Sequence, residues 1–162
     1  MDLRTANGWE SNQKGGYSMN IDFYNIGAVK DEDINFVVIV SRYHDKWIMA
    51  RHKERTTWEI PGGHREPLED IDLAAHRELF EETGAKEFAL FPVCIYSVSN
   101  EETISFGKLY YAEVTSIGPL PNSEIEEIHL VSEFPETNLT YPLIMPFLYK
   151  KVLEYLSIIE EI

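Results

Sequence analysis

The sequence has a single cysteine, Cys94, so the chain cannot form an internal disulfide bond. Cys94 lies within an apolar run at residues 88–98, where we expect a buried and unreactive thiol. A chain without disulfide bonds suits a reducing compartment, and we therefore predict a cytoplasmic protein.

Long hydrophobic segments are also missing. The aliphatic run at residues 36–40 is far too short to cross a bilayer, which needs about 20 apolar residues in a helix. Residues 1–16 are polar, and no apolar stretch among them resembles a secretion signal. We therefore expect no membrane partner.

Basic residues are scarce. Lys and Arg together number 14 against 28 Asp and Glu, which gives a formal net charge of −14 at pH 7. A surface this acidic repels phosphate backbones and anionic lipids unless a bound cation reverses the local field. The composition therefore argues against a nucleic-acid polymer as partner and leaves room for a divalent cation.

The chain has 162 residues, of which 44% are hydrophobic, and this suits one globular domain with a substantial core. We assign residues 1–16 to a flexible polar arm and residues 17–162 to a single domain. Alternating apolar residues predict strands before and after a central helix, and a second helix packs at the C-terminus. The expected strands cover residues 17–29, 36–40, 47–50, 88–97, 104–114 and 124–131, with a turn at His44-Asp45 and a short strand near residues 57–63. This order predicts a mixed sheet covered by helices, an α/β fold.

The central helix is the clearest element. It should begin near Asp70 or Asp72, where a carboxylate favours the positive end of the helix dipole, and end at Gly84, which is free to adopt a left-handed conformation. Its expected apolar face consists of Ile71, Leu73, Ala74, Ala75 and Leu79. The C-terminal helix should present Ile144, Leu148, Val152, Tyr155 and Ile159 at helical spacing, with Pro146 in its first turn.

Acidic residues are concentrated at the wrong end of this central helix. Glu78, Glu81 and Glu82 lie immediately before Gly84, where unpaired carbonyl groups already make the helix terminus partially negative. Side chains three and four positions apart lie on one face, so all three carboxylates can reach one region. Clustered hard oxygen ligands are what Mg²⁺ or Mn²⁺ requires, and the cluster therefore predicts a metal site.

Other residues fit a metal-assisted hydrolysis of a phosphate ester or anhydride. Gly62 and Gly63 follow a short strand, where a backbone carbonyl could approach a metal closely, and Arg77 can orient a carboxylate such as Glu69 through its planar fork. A glutamate-rich helix face alone is commonly a solvated surface. The complete spacing from Gly63 through Ala85, however, arises by chance in a chain of this length only on the order of once in ten million at average residue usage.

The segment GHREPLEDIDLAAHRELFEETGA, residues 63–85, resembles the signature of the Nudix hydrolases at every fixed position. The surrounding order of strands and the C-terminal helix are similar to that family as well. The resemblance implies an α/β/α sandwich with a mixed sheet, in which this segment is a loop-helix-loop. It also implies hydrolysis of a nucleoside diphosphate linked to another group, with Mg²⁺ as cofactor and Mn²⁺ as a substitute.

The resemblance also implies roles for individual residues. It implies that Glu78, Glu81 and Glu82 are metal-binding carboxylates. The carbonyl of Gly62 or Gly63 would be a further metal ligand. Arg77 and Glu69 would form the pair that orients the catalytic carboxylates. Family members differ over which acid is the general base, and some use one outside the signature; we expect Glu78 or Glu81 here. An extra metal-binding acid often comes from a later loop in the family, which indicates Glu124 or Glu126. A solvated acidic loop is the alternative role for these two residues.

Residues outside the signature resemble the mutator-type diphosphatases that remove oxidised guanine nucleotides. There Arg51 would meet phosphate, Trp58 or Ile60 would line the base pocket, and Asn138 would read the base. A turn or helix cap is the alternative role for Asn138, and a core position is the alternative for Trp58. The five histidines have no metal-ligand spacing, and His64 and His76, within the signature, are expected to take no part in the chemistry.

We therefore expect a Mg²⁺-dependent pyrophosphohydrolase that converts (oxidised) nucleoside triphosphates, such as 8-oxo-dGTP, to a monophosphate and pyrophosphate. One alternative is an ADP-sugar or dinucleoside polyphosphate hydrolase on the same scaffold. A second alternative is a catalytically inactive nucleotide-binding regulator. The expected partner is a small nucleotide substrate, and the protein should be a monomer or a homodimer.

Overall fold

The computed structural model describes residues 19–160, and the arm predicted over residues 1–16 lies outside the described residues. The elements, in chain order, are β1 Asn20–Tyr24, a 3₁₀ helix Asp31–Asp33, β2 Ile34–Tyr43, β3 Lys46–His52, β4 Gly62–His64, α1 Ile71–Thr83, β5 Ala85–Ser99, β6 Ile104–Ile117, β7 Ile125–Val131 and α2 Met145–Glu160.

Within residues 19–160, the seven strands form one mixed sheet in the order β1-β5-β6-β2-β3-β7, with β4 paired to β2. β2 runs parallel to β6, and the other pairings are antiparallel. The first half of β2 pairs with β4, whereas its last two residues pair with β3. This split lets the chain of β4 enter the sheet beside β2, and it brings Gly62 and Gly63 next to α1.

The two faces of the sheet carry separate apolar cores. Phe36 and Val38 of β2 belong to the core that includes α2, whereas Val37 and Ile39 belong to the core that includes α1. Successive residues of a strand point to opposite faces, so a single buried strand contributes to both cores. The result is a helix, a sheet and a helix in three layers, which confirms the predicted α/β/α sandwich.

The central helix covers the predicted segment, but Leu73 does not belong to its buried face. The side chain of Leu73 is 62% exposed, whereas Ile71, Ala75 and Leu79 are almost completely buried. On an α-helix each residue advances by about 100°, so Leu73 is turned roughly 200° from Ile71. The expectation that Leu73 faces the core is therefore wrong.

The first strand is shorter than predicted. It ends at Tyr24, and the chain then turns through Gly27, which has a φ of 90°. The β2–β3 hairpin turns at His44 and Asp45 as predicted, and both residues have positive φ values of 48° and 64°. Two consecutive residues with positive φ match the twist of an antiparallel hairpin.

The C-terminal helix packs through Ile144, Leu148 and Val152, as predicted, and these side chains are almost completely buried. The next buried position is Leu156, next to the expected Tyr155, and Ile159 is 41% exposed. The helix begins at Met145, so Pro146 lies in its first turn, where a missing N–H breaks no hydrogen bond.

Cys94 lies in β5 and is buried with its thiol free. Burial raises the pKa of this thiol to about 11. A thiol with so high a pKa is almost entirely protonated at neutral pH and is a poor nucleophile, so the expectation of a buried, unreactive cysteine holds.

Candidate metal and active site

The helix α1 is capped at both ends by its own sequence. The Asp70 carboxylate accepts hydrogen bonds from the backbone N–H groups of Asp72 and Leu73, at 3.0 and 3.2 Å. Gly84 has a φ of 78°, in the left-handed region, and its N–H donates to the Phe80 carbonyl. These caps fix where the helix stops. The three glutamates are thereby held on its last two turns, beside β4.

Glu82 is the most deeply buried of the three glutamates, with a relative exposure of 6%. Its Oε1 accepts a hydrogen bond from the Gly62 N–H at 2.8 Å. An ionised carboxylate in so buried a position requires hydrogen bonds or a cation to offset its lost hydration. The backbone of β4 therefore fixes the orientation of Glu82.

Glu78 lies directly against Gly63. A Cβ atom built on Gly63 would lie 2.5 Å from the Glu78 carboxyl carbon and 2.5 Å from its Oε1. Any side chain at position 63 would have to displace the Glu78 carboxylate, so only glycine allows that carboxylate to lie against the strand as it does here. The sequence predicts that the carbonyl of Gly62 or Gly63 approaches a metal, and that role stays a prediction; the contact that the structure shows at Gly63 is with the Glu78 carboxylate.

Arg77 joins the loop before α1 to the helix. Its Nε and Nη2 donate to the two carboxylate oxygens of Glu69, at 2.7 and 2.9 Å, and Nη2 also donates to the His64 carbonyl. These bonds raise the pKa of the Arg77 guanidinium and hold the pKa of Glu69 below its usual range. The two residues that were expected to pair are thus in direct contact through two parallel bonds.

Arg77 also contacts two of the expected metal ligands. Its Nη1 lies 2.9 Å from Glu78 Oε1 and 3.2 Å from Glu81 Oε2. One guanidinium therefore neutralises part of the charge of three carboxylates, counting Glu69. Such an arrangement keeps the acidic residues close together and oriented before any substrate arrives.

The glutamates line a cavity of about 520 Å³. The lining comes from the strand β4, the end of α1 and the loop before β7, and consists of Gly62, Gly63, Glu66, Arg77, Glu78, Phe80, Glu81, Glu82, Pro121, Asn122, Ser123 and Glu124. Glu124 is thus at the cavity, whereas Glu126 is not among its lining residues. Of the two acids that the sequence left open, the structure brings Glu124 to the others.

Two buried polar residues that the sequence analysis did not select lie beside this cavity. Glu59 is completely buried, and His52, at the end of β3, is 8% exposed. The Nε2 atom of His52 lies 3.7 Å from Glu59 Oε1 and 3.9 Å from Glu82 Oε2, and its Nδ1 lies 3.8 Å from Glu124 Oε2. The histidines of the sequence do not have the spacing of metal ligands. His52 meets these three carboxylates only because the fold brings distant parts of the chain together.

The residues expected to bind substrate are distributed differently. The Trp58 N–H donates to the Asn138 carbonyl at 2.7 Å, and the Trp58 ring lies 5.1 Å from that of His129. Asn138 is exposed, with a positive φ of 59°. Its backbone conformation suits a turn, the alternative role considered for it. Trp58 and Asn138 are therefore neighbours, but neither lines the acidic cavity.

Arg51 also lies outside the acidic cavity. Its guanidinium makes two bonds to Glu127, at 3.1 and 3.0 Å, and a third to the Arg55 carbonyl at 3.0 Å. These contacts hold the side chain on the strand β3 and the turn that follows it. The structure does not bring Arg51 together with the glutamates, and its role toward phosphate remains a prediction.

The donors around the cavity suit a hard divalent cation. Carboxylate oxygens of Glu78, Glu81, Glu82 and Glu124 all line it, together with the backbone of two glycines. Within residues 19–160, no three His, Cys, Asp or Glu side chains already converge as a formed metal site does. Glu81 and Glu124 have side-chain exposures of 43% and 71%, so both carboxylates are accessible to a cation from the solvent. The chemistry of the donors therefore fits Mg²⁺ or Mn²⁺.

Comparison with known proteins identifies a known domain in this chain. A sequence model described as the NUDIX domain matches residues 28–149. The Bacillus subtilis (strain 168) protein YtkD, provisionally named an 8-oxo-dGTP diphosphatase, is 35% identical over 81 residues, which cover 50% of this chain and 51% of YtkD. The chain thus spans about half the length of that relative.

Solved structures share the fold. A crystal structure of a mutant of the Bacillus subtilis pyrophosphohydrolase BsRppH has a TM-score of 0.71 and 25% identity, covering 86% of this chain and 92% of that one. The NUDIX domain of Shewanella oneidensis NrtR, solved with ADP ribose, has a TM-score of 0.61 at 18% identity and covers 82% of this chain and 94% of that one. Among residues 19–160, neither helix has the length and apolarity needed to cross a membrane.

Proposed function

The chain belongs to the Nudix family, and on that premise we propose that it is a divalent-cation-dependent pyrophosphohydrolase acting on (oxidised) nucleoside triphosphates such as 8-oxo-dGTP. The products would be a nucleoside monophosphate and pyrophosphate. The observation that carries the proposal is the single cavity lined by Glu78, Glu81, Glu82 and Glu124 beside Gly63.

The proposed reaction is attack of water on phosphorus with cleavage of a phosphoric anhydride bond. A divalent cation, when bound, neutralises the phosphate oxygens and acidifies the attacking water. Either Glu78 or Glu81 accepts the proton that the water loses, and the anhydride oxygen leaves with the departing phosphate group. Both carboxylates are within hydrogen-bond distance of Arg77 Nη1, so both are oriented for that task.

The remaining residues of the site act by positioning. Glu82 is fixed by the Gly62 N–H, and Gly63 gives Glu78 room against the strand. Arg77 and Glu69 tie the loop before α1 to the helix, so that the carboxylates hold their spacing. A preorganised site of this kind spends little free energy on reorganisation when the substrate binds.

The choice of substrate rests on separate grounds. YtkD, the partial relative described above, carries the 8-oxo-dGTP diphosphatase name, and the backbones of Trp58 and Asn138, the two residues proposed to bind the base, are hydrogen-bonded to each other. ADP-sugars and dinucleoside polyphosphates are the second candidate class. A specific observation favours that class too, because the structurally similar NrtR domain was solved with ADP ribose.

A panel of nucleotides distinguishes these substrates. The protein would be incubated with 8-oxo-dGTP, dGTP, ADP-ribose and a diadenosine polyphosphate, each with Mg²⁺, and the products separated by ion-exchange chromatography. We expect 8-oxo-dGTP to be cleaved with the highest kcat/KM and to yield a monophosphate and pyrophosphate. Cleavage of ADP-ribose with both triphosphates untouched would contradict the proposed substrate. Cleavage of none of them would favour the inactive regulator.

A further inference from the structure

We propose that His52 is a positioning residue that holds Glu82 and Glu124 at the separation needed to share one divalent cation. The inference rests on the proposed function, and it assigns a role to a histidine outside the signature segment. Its basis is the position of the His52 ring between three carboxylates that come from three different parts of the chain.

The ring reaches these carboxylates from opposite edges. Nε2 faces Glu59 and Glu82, at 3.7 and 3.9 Å, whereas Nδ1 faces Glu124 at 3.8 Å. Glu82 belongs to α1 and Glu124 to the loop before β7, and both line the acidic cavity. The imidazole of His52 therefore lies between these two carboxylates, at distances somewhat longer than a hydrogen bond.

The backbone holds Glu124 beside His52. His52 pairs with Ile125 across the β3–β7 ladder, after an irregularity in the register, and the Lys53 N–H donates to the Glu124 carbonyl at 2.9 Å. The main chain of Glu124 is thus fixed, while its side chain is 71% exposed. A long, exposed side chain on a fixed backbone needs a partner to select one orientation. Among these contacts, the Nδ1 edge of His52 is that partner.

The opposite side of His52 rests on an anchored carboxylate. Glu59 is completely buried, and its Oε1 lies 3.5 Å from Arg55 Nη1 and 3.4 Å from the Thr140 hydroxyl. Arg55 Nη1 in turn donates to the Tyr141 hydroxyl at 3.0 Å. Glu59 is therefore held by the β3–β4 connection and by the segment before α2. This anchor limits how far the His52 ring can move.

Residues that contact metal ligands without touching the metal commonly set the orientation of those ligands. Loss of such a contact typically lowers metal affinity about 10- to 100-fold. A neutral imidazole donates at only one edge, and an imidazolium donates at both. At position 52, the amide of asparagine lies near the place of Nδ1 and the amide of glutamine near the place of Nε2. The asparagine variant therefore keeps the contact with Glu124, and the glutamine variant keeps the contact with Glu82.

The test is Mn²⁺ binding by the full chain, measured by isothermal titration calorimetry without substrate. We expect His52→Leu to weaken Mn²⁺ binding at least about 10-fold. Glu124→Gln should weaken binding in the wild-type background and change it less than about 2-fold in the His52→Leu background, because contacting residues are not additive. His52→Asn, which keeps an amide near Nδ1, should retain the sensitivity to Glu124→Gln, whereas His52→Gln should lose it.

Controls separate a positioning role from a merely structural one. His44→Asn, in the exposed β2–β3 turn, should bind Mn²⁺ like the wild type. Melting temperatures in EDTA report folding, and the Asn and Gln variants decide the question if His52→Leu does not fold. Two results would overturn the role of His52 and leave the proposed function standing. One is wild-type Mn²⁺ affinity in the His52 variants, and the other is a loss of affinity in His52→Leu that simply adds to the loss in Glu124→Gln. A wild-type protein that binds no Mn²⁺ would overturn the proposed function as well.

Discussion

At the scale of single residues, the site depends on where a side chain is missing. Gly63 has no Cβ, and the Glu78 carboxylate occupies the space that a Cβ would need. The position of Glu78 therefore depends on the glycine at position 63. The contact forms because β4, which carries Gly63, lies against α1, which carries Glu78.

Gly63→Ala tests this relation. The added methyl group would displace the Glu78 carboxylate from its position, and a displacement of about 1 Å in a catalytic site can cost about 100-fold in rate. We expect kcat to fall by about that factor, with a folded protein by circular dichroism. The φ of Gly63 is not in the left-handed region, so the backbone itself tolerates alanine.

Gly118→Ala is the matched control for this substitution. The three atoms nearest to its added Cβ all belong to Lys86, first Cε, near the end of a flexible and exposed side chain that can move aside. We expect Gly118→Ala to keep the wild-type rate. Equal activity in the two alanine variants would contradict the role assigned to Gly63.

The sequence predicted single residues unevenly. The signature glutamates were identified because their spacing on a helix is enough to bring them together. His52 was not identified, because its three contacts come from the β3–β4 connection, from α1 and from the loop before β7, which meet only in the folded protein. Arg51 was expected at phosphate, yet Glu127 lies opposite it in the β3–β7 pairing and binds it.

At the scale of elements, the helix α1 was the most predictable part of the chain. Its cap residues, Asp70 and Gly84, act locally, so the boundaries follow from the sequence alone. The strands were less predictable in length. β5 extends over Ala85–Ser99, beyond the predicted 88–97, because its ends are paired with β6 rather than determined by their own residues.

The Arg77–Glu69 ion pair connects the loop before α1 to the helix, and its contribution to stability should depend on pH. The pKa of Glu69 is lowered in the folded protein from its ordinary value of 4.5, chiefly by the hydrogen bonds from Arg77. The ionised form is therefore favoured by folding. Its stabilising effect is complete above the unfolded pKa and is lost as the pH falls through the folded pKa.

Melting temperatures of the metal-free wild type and Glu69→Gln, compared between pH 3.5 and 7, check this effect. We expect the variant to be less stable near neutral pH by about 1 kcal/mol, because the group that accepts from the Arg77 guanidinium loses its negative charge. The gap should close as the pH falls below about 4.5. The control is Glu66→Gln. Glu66 also lies near Arg77, but it is exposed, and its Oε1 is 3.8 Å from Arg77 Nε, which is too far for a hydrogen bond. A gap that widens on acidification would contradict the account.

At the scale of the whole molecule, the net charge of −14 sets the conditions for function. A nucleoside triphosphate approaching the acidic cavity meets four glutamates, and the nearby Arg77 is already engaged with three carboxylates. Without a divalent cation this field repels the substrate. The same field disfavours nucleic-acid polymers, which agrees with the proposal of a small nucleotide that binds together with a cation.

The three-layer architecture followed from the sequence through the order of elements and the family resemblance, whereas the sheet order did not. Nothing in the local pattern specifies that β2 runs parallel to β6 or that β3 pairs with β7. Those pairings depend on which faces must be covered by α1 and α2. These pairings decide which loops surround the cavity. The sequence could therefore suggest Glu124 as a candidate, but it could not show that Glu124 lies at the cavity.

The central claim is that the carboxylates of this cavity hold a divalent cation for hydrolysis. The most direct measurement is the rate of phosphate or pyrophosphate release against Mg²⁺ concentration, for the wild type and Glu82→Gln, with EDTA as the zero point. The account predicts saturable activation of the wild type by Mg²⁺, no turnover in EDTA, and a folded Glu82→Gln protein whose rate is lower by about 100-fold or more. Wild-type turnover in EDTA, or an unchanged rate in Glu82→Gln, would contradict it.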